Sequence, residues 1–140
     1  MFEVIFYEVS DVENCLLKFV VIVSKYQGKW IFCKHKNRNT WEVPGGHRED
    51  EESILDTAKR ELYEETGAKK YTLTPVCVYS VKNEIESFGM LYFADVEELN
   101  DLPESEIERI AFFDDIPNQL TYPHIQPKLM DKVKEALHVV

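Results

Sequence analysis

The stretch from Gly45 to Ala68, GGHREDEESILDTAKRELYEETGA, holds eight Asp or Glu in 24 residues and a nearly complete set of helix signals. Ser53 is a good N-cap, and Asp56 three residues on makes an approximate capping box. Ile54, Leu55, Ala58 and Leu62 recur at helical spacing. Gly67 suits the left-handed residue that ends a helix. The helix is therefore expected over about 54–66, with Pro44-Gly45-Gly46 read as a turn ahead of it.

On that helix Glu61, Glu64 and Glu65 fall at i, i+3 and i+4, which places them on one face. Like charges so spaced repel by a few tenths of a kcal/mol per pair, and they lie in the C-terminal half, where the helix dipole disfavours anions. A charge run on a helix is usually a solvated face, and Lys59, Arg60, Lys69 and Lys70 stand near enough to pair with it. A divalent cation would reverse the repulsion. Hard Mg²⁺ prefers oxygen and is held by one or two carboxylates together with waters and substrate phosphates. Glycines at 45 and 46 would let a backbone oxygen come close, since no Cβ stands in the way.

Around this helix the chain reads as strands. FEVIFYEV and LLKFVVIV alternate or run apolar, and Gly28 marks a hairpin over 16–34. YTLTPVCVYSV, FGMLYFADV and IERIAFF read as three more strands, with KNEIES as the turn between the first two. In PKLMDKVKEALHVV, Leu129, Val133 and Leu137 share a helical face, and Pro127 suits the first turn. Hairpin-like neighbours mixed with helices predict an α+β fold with a mixed sheet.

The chain has 140 residues, 44% hydrophobic, which fits one domain with a sizeable core. A net charge of −10 disfavours nucleic acid and anionic membranes as partners. No apolar run approaches the roughly 20 residues of a membrane span. The start, with Glu3 and Glu8 and no basic region, does not read as a signal peptide. Cys15, Cys33 and Cys77 are too sparse for a disulfide framework or a CxxC zinc site, and a reducing cytoplasm is the expected location.

Counted from Gly46, five residues lead to Glu52, and seven more to Arg60-Glu61-Leu62, then Tyr63, Glu64-Glu65, Thr66 and Gly67. This resembles the Nudix box, Gly-x5-Glu-x7-Arg-Glu-U-x-Glu-Glu-x-Gly-U, with U a bulky aliphatic. Every fixed position matches over 46–68 except the last U, where Ala68 is small. The flanking strands and final helix extend the resemblance over nearly the whole of 1–140. It implies a single Nudix-like α/β/α sandwich domain with a mixed sheet.

The resemblance also implies Mg²⁺- or Mn²⁺-dependent hydrolysis of a nucleoside diphosphate linked to another moiety. Carried over by position, Glu61, Glu64 and Glu65 become metal-binding carboxylates, with a Gly45-Gly46 carbonyl, assigned to Gly45, as a further ligand. One of these carboxylates, or one in a later loop, serves as base. Arg60 pairs with Glu52 or a neighbouring Glu and, with Gly46, supports the loop. The later loop, LPESEIERIAFF, offers Glu104, Glu106 and Glu108. Spacing does not choose among them, and Glu106 is preferred, then Glu104. Lys34 and Lys36 are phosphate candidates on a shared side of their strand. Val43 precedes the turn where a base would stack, Asn118 or Gln119 would read base edges, and Tyr122 would close the pocket. His35, His47 and His124 are read as surface or rim groups. The favoured substrate is a nucleoside triphosphate or an oxidised one such as 8-oxo-dGTP, giving monophosphate and pyrophosphate. A nucleotide sugar, a dinucleoside polyphosphate or a non-catalytic nucleotide sensor are the alternatives. A small-molecule nucleotide is the expected partner, and the family's habit adds a homodimer to the expectations.

Overall fold

The computed structural model of the chain describes residues 2–137. Seven strands and two helices follow in the order β1 (Glu3–Tyr7), β2 (Leu17–Tyr26), β3 (Lys29–His35), β4 (Gly45–His47), α1 (Ile54–Thr66), β5 (Ala68–Lys82), β6 (Glu86–Leu99), β7 (Ile107–Phe113) and α2 (Gln126–Ala136). The expected run of the last helix through His138, Val139 and Val140 lies outside the described residues. One sheet runs β1-β5-β6-β2-β3-β7, with β4 paired to β2. The β2–β6 pair is parallel and the remaining pairs are antiparallel, so the sheet is mixed.

Side chains alternate between the two faces of this sheet, as the two-residue period of a strand requires. Val20, Ile22, Ile31, Val78, Met90, Tyr92 and Ala94 point to one face and pack with Ile54, Ala58 and Leu62 of α1. Val23, Trp30, Phe32, Cys77, Tyr79, Leu91 and Phe93 point to the other and pack with Leu129, Met130 and Val133 of α2. The architecture is an α+β sandwich with one helix on each face. Central strands covered on both sides explain the unbroken apolar runs FVVIV and MLYF. Leu55, expected on the apolar stripe, is instead 42% exposed. Among the described residues no helix is long and apolar enough to cross a membrane.

The β2–β3 hairpin turns at Gln27 and Gly28, both with positive φ, as a two-residue turn of the primed type needs. Past that turn the two strands fork. β3 pairs with β2 only at Lys25–Trp30 and Tyr26–Lys29, while β4 takes the same edge of β2 at Phe19, Val20 and Val21. The chain crosses the fork between them. Glu42 exchanges backbone hydrogen bonds with Cys33 (2.8 and 2.9 Å), and Pro44 O accepts from Ile22 N at 2.8 Å.

This corrects the expected Gly-Gly turn, because Gly45 and Gly46 lie in an extended strand. Glycine is required there by close approach rather than by turn geometry. A Cβ on Gly45 would stand 2.5 Å from Val20 O, and one on Gly46 would stand 1.4 Å from Glu61 Oε2. The fork thus brings bare backbone directly against the acidic face of α1.

Candidate functional site

Helix α1 is held at both ends as its sequence predicts. Ser53 Oγ accepts from Asp56 N at 3.0 Å, and Gly67 caps the far end at φ 76°. Its polar residues then divide into two groups with opposite electrostatics.

The first group centres on Arg60. Its Nε and Nη2 donate to the two oxygens of Glu52 at 2.7 and 3.0 Å, a bidentate pair. Nη2 also donates to His47 O at 3.0 Å, and Nη1 donates to Glu64 Oε1 (3.0 Å) and Glu61 Oε1 (3.3 Å). Glu52 further accepts from Thr57 Oγ1 at 2.7 Å and from Glu49 N at 3.1 Å. The Arg60 fork, with help from Thr57, pulls the Glu52 carboxyl down to about 2. In return Glu52 raises Arg60 above its ordinary value.

The second group is Glu61 and Glu65, both facing the fork. Glu65 is buried and accepts from Gly45 N at 2.9 Å through Oε1. Burial pushes its carboxyl up to about 8; the Gly45 amide opposes that, and the charges of Glu61, Glu42 and Glu106 add to it. Burial also pushes Glu61 up to about 7, against the pull of Arg60. Two carboxylates short of positive charge and short of water are residues that could hold a cation. The residues fit a divalent ion: all donors are oxygens, as Mg²⁺ prefers, and Gly46 leaves open the space that a Cβ would take from Glu61. Among the described residues no three acidic, His or Cys side chains already stand as a ligand array. Glu64 is turned to Arg60 and Glu65 to the Gly45 amide.

These two carboxylates line a cavity of about 410 Å³, together with Gly45, Gly46, Val43, Tyr122 and Glu106. Its apolar walls include Phe19, Val21, Tyr79 and Leu129. The other sequence-predicted residues stand elsewhere. Lys34 Nζ is 2.9 Å from Glu108 Oε2, and neither residue lines the cavity. Lys36 lies one residue beyond the end of β3 and is exposed, so it does not share a strand face with Lys34. Glu104 is exposed outside the cavity. Asn118 and Gln119 line a separate surface depression with Trp41 and Pro117.

Among the cavity residues that carried no prediction as site groups, or were read only as rim, are Glu42, His35, Arg38 and Gln126. Buried Glu42 lies 2.9 Å from His35 Nε2 and accepts from Arg38 Nη1 at 2.9 Å. The other ring nitrogen, His35 Nδ1, is 3.8 Å from Glu106 Oε2. Gln126, the first residue of α2, accepts from Val43 N through Oε1 at 2.9 Å. One signal for Glu42 was readable: in WEVPGG it is a charge between Trp41 and Val43, and a buried charge demands partners. Gln126 carried no such mark.

The NUDIX domain model matches residues 17–133, and the chain belongs to that family. YtkD of Bacillus subtilis, which bears the name "Putative 8-oxo-dGTP diphosphatase", is 32% identical over 106 residues, 74% of this chain and 66% of its own length. An RNA pyrophosphohydrolase of Bartonella henselae is 34% identical over 68 residues, covering 42% of this chain and 39% of that protein. The match therefore spans just under two thirds of the first relative and well under half of the second. Among solved structures, the Bacillus subtilis pyrophosphohydrolase BsRppH superposes with a TM-score of 0.79 at 26% identity, over 96% of this chain and 90% of that one.

Proposed function

We propose that this chain hydrolyses a nucleoside triphosphate, including an oxidised one such as 8-oxo-dGTP, to the monophosphate and pyrophosphate. The observation that carries the reading is the charge-deficient pair of half-buried Glu61 and buried Glu65 on the wall of a cavity with apolar sides. Glu61, Glu64 and Glu65, with the Gly45 carbonyl, would hold Mg²⁺ or Mn²⁺. A bound ion supplies the positive charge that lets a pyrophosphate approach this acidic wall.

The chain's own residues do the rest. Arg60 restrains Glu61 and Glu64, and the Gly45 amide fixes Glu65. Glu61 or Glu106 takes the proton of the attacking water. Glu106 stands at the cavity mouth beside His35, with its side chain open to solvent. The apolar walls take the base.

The relative named for 8-oxo-dGTP supports the substrate, and the Bartonella relative marks the rival reading, a triphosphate on an RNA end. Net charge −10 favours the free nucleotide over a long polyanion. A panel of free triphosphates, triphosphorylated RNA and a nucleotide sugar, with products read by phosphorus NMR, tests the proposal. Monophosphate plus pyrophosphate from the free triphosphates is the expected result. Orthophosphate alone, or turnover confined to RNA or to the nucleotide sugar, would overturn it.

A further inference from the structure

Glu42, His35 and Glu106 stand in a row on the cavity wall, and the proposed chemistry uses only the last of them. Glu42 is buried and both its oxygens are taken, Oε1 by His35 Nε2 at 2.9 Å and Oε2 by Arg38 Nη1 at 2.9 Å. Its backbone is fastened to Cys33 by two hydrogen bonds. An ionised carboxylate only accepts, so Nε2 carries a hydrogen toward Glu42. With that nitrogen held, the ring keeps one orientation. Its other nitrogen, Nδ1, lies 3.8 Å from Glu106 Oε2.

The backbone brings Glu106 there. β7 carries one extra residue against β3 at this point: Lys34 pairs with Arg109, yet His35 pairs with Ile107. A bulge re-aims the side chains around it. In an unbroken ladder Glu108 would stand opposite His35. With the bulge, Glu108 goes to Lys34 at 2.9 Å, and Lys36 N donates to Glu106 O at 2.9 Å. The Glu106 backbone is thus tied to the residue after His35. Its side chain is open to solvent, and a glutamate free in its rotamers spends little time in one place. His35, beside it, is itself held, with its side chain 16% exposed.

We infer that His35 is a positioning residue for Glu106, and that Glu42 serves by fixing His35. A base oriented by a second group, which a third holds in place, is a recurrent arrangement in hydrolytic sites. This role rests on the proposed hydrolase reading, in which Glu106 serves the attacking water, and adds the two residues that keep it at the cavity mouth. The contact is longer than a hydrogen bond. It therefore governs how often the carboxylate stands at the mouth, and its effect on rate should be modest. His35 Nε2 also lies 4.0 Å from Glu65 Oε2, so an action through Glu106 must be separated from one through Glu65.

His35→Gln separates the two nitrogens. Its amide nitrogen reaches the place of Nε2, so Glu42 keeps a donor, while nothing replaces Nδ1. The values of kcat and KM are measured on one free triphosphate with Mg²⁺ for the parent, His35→Gln, Glu106→Gln and the double variant, with melting curves for each. His35→Gln is expected to lower kcat by the same factor as Glu106→Gln, up to about tenfold, with KM and melting temperature near the parent's. The double variant should be no slower than Glu106→Gln alone, because residues that act as a unit do not add. A second readout needs no turnover. The carboxyl carbon resonance of Glu106, assigned as the one missing from Glu106→Gln, should move in His35→Gln. If His35→Gln does not fold, Glu42→Gln, which frees the ring from its anchoring carboxylate, takes its place in both measurements.

Losses that multiply in the double variant would put the action of His35 on Glu65 or on the substrate, and would overturn the inference. So would a raised KM that persists in the Glu106→Gln background, a Glu106→Gln variant as fast as the parent, or a Glu106 resonance that does not move. A moved resonance without turnover on any nucleotide would sink the hydrolase reading and leave the placement of Glu106 by His35 standing.

Discussion

Two sides of one helix use the same residue type to opposite ends. On the Arg60 side of α1, Glu52 and Glu64 meet a guanidinium, and Glu52 gains two further donors. On the cavity side, Glu61 and Glu65 are withdrawn from water, with one shared edge of Arg60 and one backbone amide between them. The first arrangement stabilises the fold and pulls a carboxyl down. The second weakens the fold when ionised and pushes two carboxyls up. Glu52 is matched within the chain, Glu61 and Glu65 are left short of positive charge, and Glu64, proposed to share the ion with them, is held by Arg60 from the other side.

The largest effect should come from removing charge on the mismatched side. Glu65→Gln retains shape and is expected to lower kcat by about 10²–10⁴-fold. The same variant should melt at a higher temperature than the parent at pH 8 without divalent cation. Loss of activity joined to a gain in metal-free stability is the signature, and steady-state rates with melting curves read both. An unaltered rate in the Glu65→Gln variant would remove Glu65 from the chemistry.

Gly46→Ala attacks the junction between the two sides. The added methyl would fall 1.4 Å from Glu61 Oε2, so that carboxylate must leave its place. Turnover should drop by roughly tenfold or more, the scale on which small misplacements of reacting groups act. Arg60→Ala breaks the matched side. It strands Glu52 and Glu64 without their guanidinium and should destabilise the chain by about 2 kcal/mol, discounted for partial exposure. Denaturant titration measures it. Arg60→Lys should recover only part, since one ammonium cannot reproduce the fork.

The smallest expected effect is at the cavity mouth. Glu106→Gln should reduce kcat by about tenfold at most, because its side chain is 88% exposed and Glu61 competes for the same proton. Glu104→Gln and Glu108→Gln should change less. Equal small effects at all three positions would make the loop a solvated acidic turn.

Much of this was readable in the chain because it depends on local spacing. The limits of α1 and its caps follow from local signals, and the 3.6-residue period puts Glu61, Glu64 and Glu65 on one face, but in the fold Glu64 turns to Arg60 while only Glu61 and Glu65 line the cavity. The β7 span 107–113 follows from a run of apolar residues. What escaped depends on approach between distant segments. Gly45 and Gly46 look like a turn in sequence, yet they are a strand, because Val20 and Glu61 crowd them from elsewhere. Lys34 looks like a phosphate ligand until β7 brings Glu108 beside it. The partnership of His35, Glu42 and Arg38 depends on the fork between β2 and β3, for which no local residue pattern codes. Gln126 acts through a backbone amide 83 residues earlier.

The central claim is that Glu61 and Glu65 form an unfavourable ionised pair that a divalent cation relieves. Carboxyls raised from 4.5 to about 7 and about 8 in the fold bind protons more tightly there than in the unfolded chain. Their contribution to stability is whole below about pH 4.5 and is lost as pH rises through 7 and 8. Glu52, lowered to about 2, behaves in reverse: its contribution is present above about 4.5 and is lost as pH falls towards 2. Melting temperature should therefore be measured from pH 5 to 9, in EDTA and again in Mg²⁺, for the parent chain and for a Glu61→Gln, Glu65→Gln double variant. The parent should lose stability from pH 5 to about 8 in EDTA and regain it in Mg²⁺, with little response to the ion at pH 5, and the double variant should show neither the loss nor the rescue. A parent whose metal-free stability stays flat from pH 6 to 9, or an equal Mg²⁺ response in the double variant, would contradict the claim.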